Sequence, residues 1–209
     1  MGADGGRVHA GGEWREVKIG VACRLGPQLE LRDDKIRLAL GPHVYAAGLE
    51  GSDRFFDCLS VCVNAMRGEG QEPARIAFVG DGGPWIWQRA AFVARWMDEV
   101  VEVLDIYHAR RHLHALAGTV FQDEGEANTW ATRVGKEMEA QGPEPVLEAI
   151  RALAPRGKKQ RHEVQKALDS FTAHAARMDY STYAEHHWPI DSGIVGSTCR
   201  LVSNLRTKE

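Results

Sequence analysis

Residues 76–113 set the expected fold, because they open with IAFVGDGGPWIW and close with EVLDIYHARRHL. Each segment contains a short apolar run of the kind that buried parallel strands use, and each run ends close to an aspartate. These aspartates are Asp81 and Asp105. Pro84 fits the first turn of a helix, where its missing N–H needs no partner. The pattern predicts strand, turn, helix, strand, helix, with two carboxylates at the edge of an α/β sheet where ligands bind.

The composition is that of an ordinary globular protein. The chain has 209 residues, of which 44% are hydrophobic and 26% charged, and this is enough for one sizeable core. A net charge of −3 neither indicates nor excludes a nucleic-acid-binding protein, because binding depends on the local distribution of charge. No run reaches the roughly 18 apolar residues of a membrane span. The start is polar and unlike a signal peptide. We expect a cytoplasmic protein with reduced cysteines and no membrane contact.

Strands are predicted mainly before the central stretch. Alternating polarity predicts a strand over Glu13–Leu25, and a shorter strand is expected over His43–Ala47. Between them, Leu29–Leu40 fits either an edge hairpin or a surface loop. The glycine-rich Gly2–Gly6 resembles the end of a strand followed by a turn. A helix begins at Ser52, where apolar residues take helical spacing.

The second half of the chain is predicted to be mainly helical. Polar helices extend from Asp123 to about Ala176, with breaks at Gly142-Pro143 and at Pro155–Gly157. A last helix is expected over Gly193–Leu205. The fold class is therefore α/β, with a mixed sheet flanked by helices.

Asp4 and Asp81 share a local pattern, since each follows a small residue, precedes glycine and lies near a predicted strand end. Carboxylates at neighbouring strand ends can hold a pair of Mg²⁺ ions for phosphoryl transfer. Asp-Gly is also a common turn dipeptide. Either aspartate by itself therefore fits a turn better than a metal site, and it is the wider pattern of segments described next that favours metal binding.

Five segments occur in a characteristic order: ADGG, WREVKIG, GDGGPWIW, VLDIYHARRHL and PIDSGIVGSTCR. Together they resemble bacterial insertion-sequence transposases of the DDE type, which have a ribonuclease H-like core and Mutator-like relatives. The resemblance implies metal-dependent DNA cleavage and strand transfer in DNA transposition, with Mg²⁺ as cofactor and Mn²⁺ as a substitute. It implies DNA and further copies of the chain, as a homodimer or larger homo-oligomer, as partners. Residues 1–113 would form the first part of the core, 114–184 a helical insertion, and 185–209 the final core helix region.

The resemblance assigns roles residue by residue. Asp4 matches the first catalytic aspartate, at the end of the first core strand, and Asp81 matches the second, which opens a turn after the fourth strand. Asp105 and His108 match an Asp-x-x-His segment whose members contact DNA or support the fold.

The third acidic residue departs from the family pattern. Gly196 occupies the position of the catalytic glutamate and has no ligand atom, so Asp191 is the candidate substitute as a metal ligand. Only three residues precede Asp4, and we expect an N-terminally truncated, degenerate copy. The alternative is a catalytically inert DNA-binding or self-associating remnant. A nucleotide-binding domain is less favoured, since GxGxxG and Walker A motifs are missing.

Further side chains have a functional and a structural interpretation. One of Trp85 and Trp87 is a candidate for stacking on a nucleobase, and the other is expected in the core. Solvated surface is the default for four basic residues that could instead contact phosphates: Arg110, Arg111, Lys158 and Lys159.

His108 and His112 share a helix face and, with Asp105, imitate a transition-metal site. A closed zinc site needs a fourth ligand that the sequence does not indicate. A helix packed on the sheet is therefore favoured here.

Overall fold

The computed structural model describes residues 1–10, 12–32, 35–49, 51–66, 75–94 and 97–193. The chain forms two compact units, Met1–Glu102 with His187–Glu209, and Val103–His186. Within the described ranges, every helix is too short or too polar to cross a bilayer. The division into a catalytic core and a helical insertion, with boundaries at 113/114 and 184/185, comes from the family resemblance and stays a prediction.

Five strands form one sheet: β1 (Gly2–Ala10), β2 (Glu13–Arg32), β3 (Lys35–Gly48), β4 (Arg75–Gly80) and β5 (Glu99–Leu104). Their order across the sheet is β3-β2-β1-β4-β5. The pairs β1–β2 and β2–β3 are antiparallel, whereas β4 is parallel to β1. This arrangement confirms the predicted α/β class with a mixed sheet flanked by helices.

The N-terminal strand is longer than predicted, and the turn expected within Gly2–Gly6 is wrong. β1 continues to Ala10, and each of its residues is paired with a residue of β2. This continuous ladder pairs the glycine-rich segment with β2 along its whole length, so strand pairing outweighs the turn preference of its glycines. Asp4 consequently lies inside a strand and not at the end of one.

Of the two interpretations of Leu29–Leu40, the hairpin is confirmed in the described residues. β2 and β3 pair from Lys18 opposite Gly48 to Arg32 opposite Lys35. The register shifts between Cys23 and Leu29, where the pairing is irregular. The predicted strand His43–Ala47 is therefore the second half of a longer strand.

Two helices pack against the sheet in the first unit, α1 (Ser52–Met66) and α2 (Pro84–Ala94). Both begin where the sequence predicts. Their apolar residues form one core together with residues of β1, β2 and β4. The largest buried residues of this core are Phe55, Phe56, Leu59, Phe78, Ile86 and Val93.

The second unit is built from helices: α3 (Ile106–Val120), α4 (Glu124–Gln141), α5 (Glu144–Arg151), α6 (Gly157–His174) and α7 (Tyr180–Glu185). A 3₁₀ turn, Ala175–Arg177, precedes α7. The breaks predicted at Gly142-Pro143 and Pro155–Gly157 are confirmed. α3 packs on α4 and α6, and α4 packs on α5 and α7. The predicted last helix lies outside the described residues, except for Gly193.

Candidate functional site

Asp4 and Asp81 each follow one residue of a pair that faces across two neighbouring strands. Ala3 of β1 pairs with Gly80 of β4 in parallel register, so the next residue along each backbone is an aspartate. Neighbouring strands lie roughly 4.8 Å apart, so the backbones of Ala3 and Gly80, directly before the two aspartates, are close neighbours. Asp4 also pairs with Ile19 of β2 on the other side. The side chain of Asp4 lies outside what the structure describes.

The segment that follows β4 forms a tight turn organised by Asp81. The N–H of Gly83 donates a hydrogen bond to Asp81 Oδ1 at 2.9 Å. Gly82 has a φ of 89°, a backbone conformation that glycine adopts without strain. The turn leads directly into Pro84 at the start of α2. Because the turn uses one carboxylate oxygen and a metal bond needs one, the turn and metal interpretations of Asp81 are compatible.

Gly80 allows α2 to begin close to the end of β4. A Cβ atom at this position would lie 2.9 Å from Ile86 Cγ2 and 3.2 Å from the ring of Trp87. Those distances are too short for an ordinary contact, and Ile86 is fully buried. The glycine before Asp81 is therefore a packing requirement of this turn.

Lys18 lies beside this region and was missed by the sequence interpretation. Its side chain is largely buried, and its Nζ donates to Glu16 Oε2 at 3.0 Å. The same Nζ lies 5.5 Å from the centroid of the Trp85 ring, a cation–π distance. In an alternating strand, nothing local distinguishes Lys18 from the exposed charges nearby, so no sequence signal marked it.

Both tryptophans after Asp81 contact the core. The Trp85 ring lies 6.0 Å from Phe55 and 5.8 Å from Phe56 between centroids, and it is half-buried. Trp87 packs edge-on against Phe78 at 6.0 Å. The core interpretation thus holds for both rings, and base stacking by Trp85 stays a prediction.

Asp191 forms a turn like that of Asp81. Its Oδ1 accepts a hydrogen bond from the N–H of Gly193 at 3.0 Å. Both aspartates therefore belong to an Asp-x-Gly turn in which the carboxylate binds the backbone two residues later. Gly196, at the position of the missing glutamate, lies outside the described residues.

In the second unit, Asp105 supports the fold. It caps α3 by accepting the N–H of Tyr107 at 2.9 Å, and only 6% of it is exposed. The buried Tyr180 hydroxyl donates to the carbonyl oxygen of Leu104 at 2.9 Å. Burial raises the pKa of Tyr180 well above its ordinary value, and the negative charge of Asp105 raises it further. Of the two roles that the resemblance implies for Asp105, the structure describes the supporting one.

Two further predicted site residues, Arg110 and His108, make side-chain contacts within this unit. Arg110 forms an ion pair with Glu139, which joins α3 to α4. The Arg111 guanidinium lies 2.7 Å from His108 Nδ1, and His108 Nε2 lies 2.7 Å from His112 Nε2. The described side chains include no group of three or more His, Cys, Asp or Glu residues suited to a metal ion. The side chain of Asp4 is not among the described side chains, so this finding does not cover Asp4.

Comparisons with protein-family models, with curated proteins and with solved structures found no match. The resemblance to transposases therefore rests on the sequence segments quoted above.

Proposed function

We propose that this chain is the catalytic core of a DDE-type DNA transposase with a ribonuclease H-like fold. The observation that carries the proposal is the register of β1 and β4. In that family, one catalytic aspartate lies at the end of the first core strand and the next opens a turn after the fourth. Asp81 opens the turn after β4, as in the family, whereas Asp4 lies inside β1 and not at its end. The strands β1 and β4 are neighbours in parallel register. The five-stranded mixed sheet is compatible with such a core.

The chemistry fits hard oxygen ligands. Mg²⁺ held by Asp4 and Asp81 would lower the pKa of an attacking water and stabilise the leaving oxygen of the DNA phosphate. In this mechanism the two aspartates would together supply the negative charge that holds the metal ions. No separate proton-transfer residue is required.

The third acidic position sets the expected level of activity. Gly196 supplies no ligand, so the natural chain is expected to be weaker than an intact enzyme by orders of magnitude unless Asp191 substitutes. Gly196 also favours the second candidate function, an inert remnant that binds DNA or associates with copies of itself.

The decisive experiment is nicking of supercoiled plasmid in Mg²⁺ and in Mn²⁺. We expect Gly196→Glu to cut and the natural chain to be inactive. In the Gly196→Glu background, Asp81→Asn should abolish cleavage. The asparagine amide oxygen still accepts the Gly83 N–H, so this change keeps the turn and removes the charge. Asp57→Asn, an exposed acid on α1, is the matched control and should cut normally.

Each other outcome has a defined meaning. If Asp81→Asn does not reduce cleavage, the catalytic assignment is wrong. If the natural chain cuts, Asp191→Asn should then stop it. If neither the chain nor Gly196→Glu cuts but both bind DNA, the inert remnant is correct. If the folded protein neither cuts nor binds DNA, both candidate functions fail.

A further inference from the structure

His108 and His112 form a close imidazole pair on α3. They are four residues apart, their ring centroids are separated by 4.5 Å, and their Nε2 atoms by 2.7 Å. His112 is exposed and His108 is half-buried. Two histidines at this spacing on one helix face are the arrangement that helical zinc sites use.

Arg111 determines where the protons of this pair lie. Its Nη2 is 2.7 Å from His108 Nδ1, and a guanidinium can only donate. His108 Nδ1 must therefore accept, which leaves the proton of this neutral ring on Nε2. That N–H donates to His112 Nε2. A single proton thus lies between the two nitrogen atoms that face each other.

We propose that His108 and His112 bind a divalent transition-metal ion of the Zn²⁺, Ni²⁺ and Cu²⁺ class through these two Nε2 atoms. With metal–nitrogen bonds of about 2.0–2.1 Å, the two atoms need to separate only to roughly 2.9–3.4 Å, the range between right-angle and tetrahedral coordination. Water completes the coordination, so the site is open. Imidazole suits this class of metal, whereas Mg²⁺ prefers oxygen. The site is therefore chemically distinct from the proposed Mg²⁺ site and does not rest on it.

Metal binding must rearrange the proton and the arginine. When the lone pair of His108 Nε2 binds the metal, its proton moves to Nδ1 through solvent. An Nδ1–H can no longer accept from Arg111, so the guanidinium must release the ring. Arg111 consequently competes with the metal and weakens its binding.

The test is calorimetric titration of the metal-free full chain with Zn²⁺ and with Ni²⁺. We expect His112→Ala to weaken binding at this site at least about tenfold, because one of two protein ligands is lost. His114→Ala is the matched control: it removes an exposed histidine from another face of α3 and should leave affinity unchanged. Arg111→Ala should tighten binding several-fold. Far-UV circular dichroism checks that every variant is folded.

The proposal is overturned if the natural chain does not bind Zn²⁺ or Ni²⁺, or if His112→Ala binds them as well as the natural chain. Zinc bound by cysteines would be unaffected by His112→Ala and would produce this second result. An unchanged affinity in Arg111→Ala would overturn the proton rearrangement. The experiment measures metal binding and not DNA cleavage, so the metal-site proposal can hold even if the transposase proposal fails.

Discussion

At the scale of single residues, aspartates organise local backbone at several helix starts and turns. Asp81 and Asp191 each bind an N–H two residues later, and Asp105 and Asp123 cap α3 and α4. Such carboxylates satisfy backbone donors that would otherwise lack a partner. A conservative Asp-to-Asn change keeps an acceptor oxygen, which is why it separates a structural role from a metal-binding one.

A side chain at Gly80 is expected to destabilise the protein. In Gly80→Ala the new Cβ would meet Ile86 inside the core, and we expect a loss of about 1–3 kcal/mol in the free energy of unfolding. Gly118→Ala on α3 is the control. Its Cβ would meet no atom within 4 Å, so this change should stabilise the protein by up to about 1 kcal/mol. Chemical denaturation measures both, and equal effects would contradict the packing argument.

Tyr180 is expected to make stability depend on alkaline pH. Its pKa in the folded state lies above the unfolded value near 10, so the folded state retains the proton longer. The stabilisation is fully present below about pH 10 and is lost as pH rises above it. Tyr180→Phe also removes the hydrogen bond to Leu104 and should cost about 1–2 kcal/mol at neutral pH.

Denaturation curves between pH 7 and 11 test the role of Tyr180. Stability of the natural chain should fall more steeply above pH 10 than that of Tyr180→Phe. Parallel pH profiles would show that the buried hydroxyl does not cause the dependence.

At the scale of one element, α6 has a basic exposed face. Lys158, His162 and Lys166 are spaced four apart and all are exposed, whereas Phe171 on the opposite face is buried. Polar and charged residues along the outer face suit a phosphate backbone better than a lipid surface, which would require exposed apolar side chains.

If the protein binds DNA through α6, the double substitution Lys158→Ala with Lys166→Ala should weaken binding. The plot of log affinity against log salt concentration should also become less steep, by about two units of slope, since two phosphate contacts are lost. Lys136→Ala on α4 is an exposed control and should have no effect. Fluorescence anisotropy with duplex DNA at several salt concentrations measures these changes. Unchanged affinity in the double variant would place the DNA contact elsewhere.

At the scale of the whole molecule, the division into two units predicts separate folding. Residues Val103–His186 contain helices that pack on each other, with a buried set of apolar residues of their own: Leu113, Val134, Met138, Val146, Ile150, Phe171 and Met178. We expect this segment alone to be helical by circular dichroism and to unfold cooperatively. Ile150→Asn, at a fully buried position, should abolish the cooperative transition. An unfolded isolated segment would show that its core needs the rest of the chain.

The order of the elements could be predicted from the residues because its signals are local. Helical spacing marks α1, Pro84 marks the start of α2, and glycine and proline mark the breaks between later helices. The α/β class follows from that order. The candidate aspartates were also identified from sequence, since Asp-Gly after an apolar run is a local pattern.

Other features depended on pairing between distant residues. The extent of β1 was mispredicted because turn preference is local, whereas the ladder with β2 forms only in the folded sheet. The same applies to the pairing of Ala3 with Gly80, the residues before Asp4 and Asp81, because it results from the register of β1 with β4. Lys18 has no local signal, because its ring partner Trp85 belongs to another element. The preference for helix, strand or turn depends on short segments of the chain, whereas strand register and side-chain partners depend on which distant segments pack together.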